Sequence, residues 1–216
     1  MARTPTAPPI HDRSTRERIV TEAIRLFARH GFSGTTVGDI EEAAGLAPRA
    51  GGLYKHFPSK EAVLSAAIER HVQEMERMRA RLEVMPLGDL RAELTLAARW
   101  ALAELGEEQL VMKVVQKDGD RFPELVREVH ARIVGPGHAQ AARIFERMFA
   151  ELGIEGPDPR AIAAVALGAL VDYRLEQTMF GVPPGGIGEE EFIDAWVYTW
   201  ESFARGAAAP RRREEK

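Results

Sequence analysis

The sequence predicts an all-α fold of about nine helices, and three observations support this. Apolar residues recur every three or four positions through most of the 216 residues, which is the spacing of one face of a helix. Glycine, proline and helix-capping residues punctuate these stretches in the manner of helix ends. The alternation of apolar and polar residues that marks a half-buried strand does not occur over any useful length. We therefore expect helices joined by short turns.

The first three predicted helices are short and close together. Helix one covers about 14–30 and ends at Gly31, because glycine readily adopts the left-handed conformation that follows a helix. Thr35 or Thr36 then caps a second short helix, since its hydroxyl can accept a hydrogen bond from the first turn. Pro48 suits the first turn of a third helix of roughly one to two turns, where its missing N–H needs no partner.

Six further helices are predicted in the rest of the chain. Ser59 caps helix four, and Glu61 lies near the positive end of that helix dipole. Gly135-Pro136-Gly137 interrupts the seventh helical region, and we expect a kink or short break because proline removes a backbone donor. Helices five to nine are predicted at about 88–105, 107–117, 123–152, 159–180 and 189–205.

Composition and charge indicate a soluble globular protein with a basic N-terminal part. Hydrophobic residues make up 45% and charged residues 29%, and the chain has no uncharged apolar stretch long enough to span a membrane. The N-terminal residues lack a signal-peptide core, and the absence of cysteine agrees with a cytoplasmic location. Residues 1–60 carry nine Lys or Arg and six acids, whereas the remainder carries 20 and 27. This asymmetry favours a module that binds a polyanion, although a surplus of three charges also fits ordinary scatter.

Residues 36–57 have the organisation of a helix-turn-helix motif. Two helices joined by a tight glycine-containing turn allow the second helix to enter the major groove of DNA while the first braces it. Arg49 can donate two hydrogen bonds to a guanine edge, and small residues beside it allow the backbone to approach closely. Phosphate contacts are expected from Tyr54, His56 and Lys60, and from the N-terminus of helix two. The candidate DNA-binding residues are Thr36, Arg49, Ala50, Gly51, Gly52, Tyr54, Lys55, His56 and Lys60.

The same region resembles the N-terminal domain of TetR-family transcriptional regulators. The similarity is carried by "IVTEAIRLFARHGFSGTTVGDIEEAAGL" and "GLYKHFPSKEAVL", and it is dense over residues 16–64. Beyond that region only the number and order of the helices fit the family. The resemblance implies a homodimeric regulator that binds a palindromic operator in double-stranded DNA and responds to a small-molecule effector.

The spacing within the motif departs from the pattern of the family. The commoner spacing, from the residue after the turn's hydrophobic residue to the tyrosine, is about six residues, whereas Ala47 to Tyr54 spans eight. The two extra residues within "APRAGG" must lengthen the turn or the third helix. The contact assignments therefore carry over most directly at Gly52, Tyr54, His56 and Lys60, which are counted back from the intact end of the motif.

Helices eight and nine are predicted to form the dimer interface that the resemblance implies. Apolar residues follow one face of helix nine, and small residues on helix eight permit close helix approach. The alternative, in which both helices close a monomeric core, also fits the pattern. The predicted interface residues are Ala166, Ala169, Phe192, Trp196, Thr199, Trp200 and Phe203.

Helices four to eight are predicted to enclose the effector cavity that the resemblance implies. Its wall should be largely apolar with a few polar anchors. An apolar small molecule is the expected ligand, although the aromatic and methionine residues also fit plain core positions. The predicted lining residues are Arg99, Trp100, Met112, Val115, Phe145, Met148, Phe149, Tyr173 and Gln177.

The sequence offers no support for an enzyme. Motifs for a nucleophile elbow, a zinc protease and a phosphate loop do not occur. The spacing of His30, His71, His130 and His138 is not that of metal ligands. We therefore expect neither a metal nor a cofactor.

These observations predict a ligand-responsive, homodimeric DNA-binding repressor. A regulator without a small-molecule effector stays open as an alternative, and a solidly packed core would favour it. An enzyme with a helical N-terminal module is a second alternative, which a pocket of convergent titratable groups would favour. The expected domains are a flexible arm at 1–12, a helix-turn-helix domain at 13–58, an effector-binding and dimerisation domain at 59–206, and a disordered tail at 207–216.

Overall fold

The computed structural model describes residues 14–80 and 87–208, and every regular element within these ranges is helical. The predicted all-α fold class is confirmed. The predicted arm at 1–12 lies outside the described residues, and so does the predicted tail at 207–216 except for residues 207 and 208, which belong to the last helix. Within the described ranges, no helix combines the length and the apolar character needed to cross a membrane.

The α-helices alternate with short turns along the chain. Two 3-10 turns occur at Leu53–Lys55 and Pro184–Gly186, and a π-turn at His130–Val134 joins two α-helices without a break. The helices are α1 Thr15–Gly34, α2 Val37–Ala43, α3 Lys60–Ala80, α4 Leu90–Asp118, α5 Pro123–Val129, α6 Gly135–Leu152, α7 Pro159–Phe180 and α8 Glu189–Ala208.

The starts of the first helices follow the predicted capping chemistry. The Thr36 hydroxyl accepts a hydrogen bond from the N–H of Asp39 at 3.1 Å, so Thr36 caps α2. Ser59 Oγ accepts from the N–H of Ala62 at 3.1 Å at the start of α3. Gly31 has φ +75° and interrupts the regular backbone of α1, although one further turn of helix follows it.

Predicted helices five and six are wrong as separate elements, because α4 runs continuously from Leu90 to Asp118. The predicted boundary fell at Gly106, which lies inside the helix. A glycine in a helix interior costs only about 1 kcal/mol relative to alanine, and packing of a long helix readily offsets that cost.

The predicted third helix is also wrong. Residues 48–52 form turns, and the only regular structure that follows before α3 in the described chain is the 3-10 turn at Leu53–Lys55. The backbone has φ +60° at Arg49 and +72° at Gly51, and neither value is compatible with a right-handed helix. The two extra residues of this segment therefore lengthen the turn and not a helix.

The predicted interruption near Pro136 takes the form of the π-turn and not of a break. Pro136 has no N–H, so it cannot donate to the main-chain oxygen of Arg132 one helical turn earlier. The guanidinium of Arg79 supplies the missing donors: it reaches the main-chain oxygen of Arg132 at 3.3 Å and that of Ile133 at 2.7 Å. One side chain of α3 thus satisfies the irregular backbone that the proline creates.

The described chain divides into two compact units. The first comprises residues up to Glu74 together with Leu110–Val129, and the second comprises Met75–Gln109 together with the residues from His130 onward. The core of the first unit includes Ile19, Phe27, Phe32, Ile40, Leu53, Val63 and Ile68. The core of the second unit includes Leu94, Leu102, Phe145, Leu170, Tyr173, Val197 and Trp200.

A buried acid, Glu108, and a partly buried acid, Glu104, accompany Arg79 within the second unit. The guanidinium contacts the carboxyl group of Glu104 and lies 3.5 Å from Glu108 Oε1. Burial raises the pKa of Glu108, the neighbouring Glu104 also raises it, and Arg79 lowers it; the net pKa is about 7. Burial likewise raises the pKa of Glu104. Two acids beside one guanidinium thus favour retention of a proton.

We expect stability to fall more steeply between pH 5 and pH 8 in the parent protein than in Glu108→Gln. The folded protein keeps a proton on Glu108 up to about pH 7, whereas an unperturbed glutamate releases it near 4.5. The protonated carboxyl therefore makes its full contribution to the free energy of unfolding below about pH 4.5, and this contribution is lost as the pH rises through about 7. Urea unfolding at pH 5 and at pH 8 measures the free energy of unfolding at each pH. The decrease in this free energy from pH 5 to pH 8 should be about 2–3 kcal/mol larger in the parent than in Glu108→Gln.

Glu107→Gln is the matched control, because Glu107 is the exposed neighbour of Glu108. This variant should follow the pH dependence of the parent. An identical loss of stability in the parent and in Glu108→Gln would contradict proton retention at Glu108.

Candidate nucleic-acid interface

Residues 47–52 form an extended turn between α2 and the 3-10 turn that follows it. Both ends of the extended turn are bonded to one residue of α2. The N–H of Leu46 donates to the main-chain oxygen of Glu41 at 2.8 Å, and the N–H of Leu53 donates to Glu41 Oε1 at 3.0 Å. Glu41 and Leu53 are both fully buried. The extended turn therefore projects from a buried base, and its first four residues are exposed.

The conformation of the extended turn brings Arg49 close to α2. Arg49 has a left-handed backbone with φ +60°, which costs a non-glycine residue about 1 kcal/mol. Its side chain lies over Gly38, since a Cβ added there would be 3.3 Å from Arg49 Cγ. The absence of a side chain at Gly38 thus leaves room for Arg49, which is exposed to solvent.

The 3-10 turn adds three exposed side chains next to the extended turn. Tyr54 is 56% exposed, and Lys55 and His56 are also exposed. Arginine and lysine bind phosphate, arginine can also read a guanine edge, and phenol and imidazole groups can donate to phosphate oxygens. The surface can therefore position a polyanion and read bases. DNA contact stays a prediction for Arg49, Ala50, Gly51, Gly52, Tyr54, Lys55 and His56.

The head group of Lys60 is bonded to main-chain oxygens of the protein. Lys60 Nζ donates to the main-chain oxygens of Phe32 and Thr35, both at 2.7 Å, and lies 4.1 Å from the centre of the Phe32 ring. Burial lowers the pKa of Lys60. The long side chain thus bonds to backbone oxygens at the end of α1, and phosphate contact by Lys60 stays a prediction.

Thr36 is also engaged within the protein. Its N–H donates to Asp39 Oδ2 at 2.7 Å, and its hydroxyl accepts from the N–H of Asp39. Asp39 lies in the first turn of α2. Hydrogen bonds with the main chain and the hydroxyl of Thr36 lower the pKa of Asp39. A carboxylate there opposes an approaching phosphate, and DNA contact by the exposed Thr36 stays a prediction.

The sequence reasoning missed Glu41, although a signal for it was present. Val37, Ile40 and Ala44 mark the buried face of α2, and position 41 falls on that face at helical spacing. An acidic residue on an apolar face requires a hydrogen-bond partner, which here is the N–H of Leu53.

The predicted effector residues are distributed over both compact units. Met112 and Val115 belong to the first unit, whereas the other predicted residues belong to the second. Arg99 is exposed and pairs with Glu190, whose hydrogen bond raises the pKa of Arg99. Contact of Arg99 with an effector stays a prediction. Trp100 and Gln177 are partly buried, and Phe145, Met148, Phe149 and Tyr173 are buried.

The buried residues of this set pack directly on other aromatic residues of the second unit. The rings of Phe145 and Trp200 are 5.5 Å apart, and those of Tyr173 and Phe192 are stacked at 4.2 Å. The Tyr173 hydroxyl donates to the main-chain oxygen of Ile187 at 3.1 Å. Phe145 and Tyr173 therefore occupy core positions, and their contact with a ligand stays a prediction.

Most of the predicted dimer residues face the core of their own chain. Trp196 and Trp200 are only 7% and 9% exposed, and Trp196 Nε1 donates to the main-chain oxygen of Ala166 at 2.9 Å. This burial corrects their assignment to a dimer surface. Helical periodicity predicts which face of α8 is buried, but it does not show whether the same chain or a second copy covers it. Ala166 is also buried, Phe192 and Phe203 are partly buried, and Ala169 and Thr199 are exposed.

The opposite faces of α7 and α8 are apolar and exposed. Val165 is 64% exposed on α7, and Tyr198 is 68% exposed on α8. Met179 at the end of α7 is 60% exposed. Further small exposed residues on these faces are Ala164, Gly168, Ala169, Ala195 and Thr199. We call this surface the outer face of α7 and α8.

Comparison with known proteins connects the first unit with a bacterial family. Residues 19–67 match the model for bacterial regulatory proteins of the tetR family. The HTH-type transcriptional repressor KstR2 of Rhodococcus jostii is 38% identical over 74 residues, which are 32% of this chain and 35% of KstR2. The HTH-type transcriptional regulator TcmR of Streptomyces glaucescens is 37% identical over 89 residues, which are 40% of this chain and 37% of TcmR. The chain thus spans little more than a third of either curated relative.

The complete fold also has solved counterparts. The flavonoid-responsive regulator FrrA superposes with a TM-score of 0.61 at 24% identity, covering 91% of this chain and 98% of FrrA. Likeness at this level of identity shows the fold alone. The family model, however, matches the residues that build α1, α2 and the exposed turn after α2. By that match, residues 19–67 of this chain are similar to the TetR family of bacterial regulatory proteins.

Proposed function

We propose that this protein is a homodimeric transcriptional repressor that binds a palindromic operator and is released from it by a small apolar molecule. The observation that carries the proposal is the exposed, basic extended turn after α2, inside the region that matches the TetR family model. The relatives TcmR and KstR2 are HTH-type transcriptional regulators, and KstR2 is a repressor.

DNA recognition is assigned to the extended turn and the 3-10 turn. Arg49 reads a base edge, because its guanidinium can donate two hydrogen bonds to guanine. Lys55, Tyr54 and His56 bind phosphate oxygens and set the register of the protein on the duplex. The exposure of all four side chains supports these roles.

Dimerisation is assigned to the outer face of α7 and α8. A single recognition element contacts few base pairs, and two copies related by a two-fold axis read the two halves of a palindrome. Val165 and Tyr198 are more than half exposed although they are apolar or aromatic, which suits burial against a second copy. The small residues between them permit close approach of helices.

A small-molecule effector completes the proposal. FrrA, which shares the fold, is responsive to flavonoids, and this supports a small-molecule ligand for the present chain. An effector that binds more tightly to a conformation with the wrong separation of the two recognition elements lowers operator affinity. The size of that effect equals the difference in its binding free energy for the two conformations.

A regulator without a small-molecule effector is the second candidate. The direct contacts of Phe145 with Trp200 and of Phe149 with Phe203 favour it, because these residues were expected to line a cavity. A panel of apolar compounds separates the two candidates. Release of bound operator by any compound, with a rise in melting temperature, supports the effector; retention of the operator against the whole panel favours the second candidate.

Selection of bound sites from random DNA should return a palindrome from the purified parent protein. Arg49→Ala should return a site with the same symmetry but relaxed at one base pair in each half, at a cost of about 1–3 kcal/mol for that pair. Failure of the parent to enrich any sequence would contradict the proposed function.

Lys55→Ala should weaken binding to all DNA sequences by a similar factor. The loss of one phosphate contact reduces the slope of log affinity against log salt by about 1 for each protomer's site. Fluorescence anisotropy at several salt concentrations measures this slope. Arg160→Ala is the control, since Arg160 is exposed but belongs to the second unit, and its slope should match the parent.

Val165→Glu combined with Tyr198→Glu should give folded monomers, because the two carboxylates would be buried without partners in the proposed dimer. Light scattering after size-exclusion chromatography measures the mass, and circular dichroism checks the fold. Leu87→Glu is the control, since Leu87 is 54% exposed and lies outside α7 and α8. An intact dimer in the double variant would place the interface elsewhere.

A further inference from the structure

The extended turn is closed at its base by Glu41 alone among the residues of α2. The main-chain oxygen of Glu41 accepts from the N–H of Leu46, and its side-chain Oε1 accepts from the N–H of Leu53. These two N–H groups flank the extended turn on either side. One residue thus bonds to both ends of the segment that carries Arg49.

Few further contacts hold the extended turn in the described structure: the side chain of Arg49 packs over Gly38, and the N–H groups of Tyr54 and Lys55 donate to the main-chain oxygens of Gly51 and Gly52. Within it, the N–H of Ala50 donates to the main-chain oxygen of Ala47 at 3.3 Å. A Cβ added to Gly51 would meet no heavy atom of the described chain within 4 Å, which indicates open space around that residue. Residues 47–50 are exposed. The orientation of the turn therefore depends mainly on the bonds at its two ends, together with the packing of Arg49 over Gly38.

The Glu41 carboxyl group is an unusual choice for a fully buried position. Its Oε2 atom has no hydrogen-bond partner among the described residues, and the side chain is completely shielded from solvent. A buried polar group that is only partly satisfied destabilises a fold, and an apolar side chain of similar volume avoids that cost. Groups of this kind are expected where a precise conformation serves function.

We propose that Glu41 is a positioning residue for DNA recognition, because its carboxyl group fixes the end of the extended turn and thereby sets where Arg49 meets the base pairs. The inference rests on the proposed function, and it concerns sequence preference within it. Glu41 itself is buried and does not touch DNA. Its effect is transmitted through Leu53 N–H to the backbone of the turn.

The length of the extended turn explains why such a bond is needed. A turn with two more residues than the commoner spacing has more conformations available, and a fixed end removes many of them. Left-handed residues at positions 49 and 51 redirect the chain twice within the segment. A small displacement at Leu53 would therefore move the Arg49 guanidinium relative to a base edge.

Two variants separate the hydrogen bond from the volume of the side chain. Glu41→Gln keeps an acceptor for the N–H of Leu53, whereas Glu41→Met fills a similar volume and has no such acceptor. Glu41→Ala is made as well, so that a folded protein without the acceptor is obtained even if the methionine packs poorly. Glu42→Met is the matched control, because Glu42 is the exposed neighbour on the same helix.

The first readout needs no DNA. Amide hydrogen exchange at Leu53 should be at least about tenfold faster in Glu41→Met than in the parent, while amides in the middle of α1 keep their protection. Glu41→Gln and Glu42→Met should keep the parent's protection at Leu53. Unchanged exchange at Leu53 in Glu41→Met and Glu41→Ala would overturn the proposed role of the bond.

The second readout is discrimination between the selected operator and operators with one base pair changed. Glu41→Met should lose about tenfold or more of this discrimination at the base pair read by Arg49, and Glu41→Gln should retain it. The salt slope should stay within error of the parent, because the phosphate-binding side chains are unchanged. A purely structural role would instead weaken all sequences together and alter no preference.

A double variant tests the route through Arg49. In the background of Arg49→Ala, Glu41→Met should cause no further loss at that base pair, because both changes remove the same contact. Additive losses would overturn the proposal that Glu41 acts through Arg49.

The outcomes distinguish this inference from the proposed function. A parent protein that selects no DNA sequence contradicts the function and with it the role of Glu41 in recognition, whatever the exchange rates show. A parent that selects a palindrome, together with a Glu41→Met variant that selects the same palindrome with equal preference, overturns the positioning role and leaves the function intact.

Discussion

The first unit depends on side chains that satisfy the backbone where Gly31 interrupts α1. With φ +75° at Gly31, the neighbouring N–H and C=O groups lose their helical partners. The N–H of Phe32 donates to Asp118 Oδ2 at 2.7 Å, and Lys60 Nζ donates to two main-chain oxygens of the same corner. Lys117 Nζ donates to the main-chain oxygen of Arg29 at 2.6 Å. Hydrogen bonds to charged groups are worth about 1.5–3 kcal/mol each, so this corner is rigid although it is irregular.

The position of the extended turn depends on that corner. Two residues separate the end of α1 from the start of α2, and the extended turn is bonded to α2 through Glu41. A change in the bonds made by Lys60 would therefore move α2 and the extended turn together. Lys60 stabilises this corner from inside the protein, and its loss is expected to lower the stability of the fold. The exposed cations Arg49 and Lys55 have the opposite character, since they contribute little to the fold.

The sequence was sufficient to predict those features that depend on local chemistry. The caps at Thr36 and Ser59 were predicted correctly because a hydroxyl at a helix start has one favourable partner nearby. The left-handed conformation of Arg49 was not predicted, because it depends on bonds at both ends of the turn and not on the preference of arginine. The burial of Trp196 against its own chain was missed for a related reason: an apolar stripe shows that a face is covered, but it does not identify the cover.

In both units, side chains bond to the main-chain groups of the irregular backbone segments. At the corner after Gly31, in the extended turn and in the π-turn at His130–Val134, main-chain groups without helical partners are satisfied by long polar or charged side chains. Backbone groups removed from water must be bonded, so an irregular segment persists only where such a side chain is available. Arg79 suits the π-turn because its planar fork reaches two successive carbonyl oxygens while it contacts Glu104. A lysine at that position would keep the charge but lose the fork, and the irregular backbone would lose part of its support.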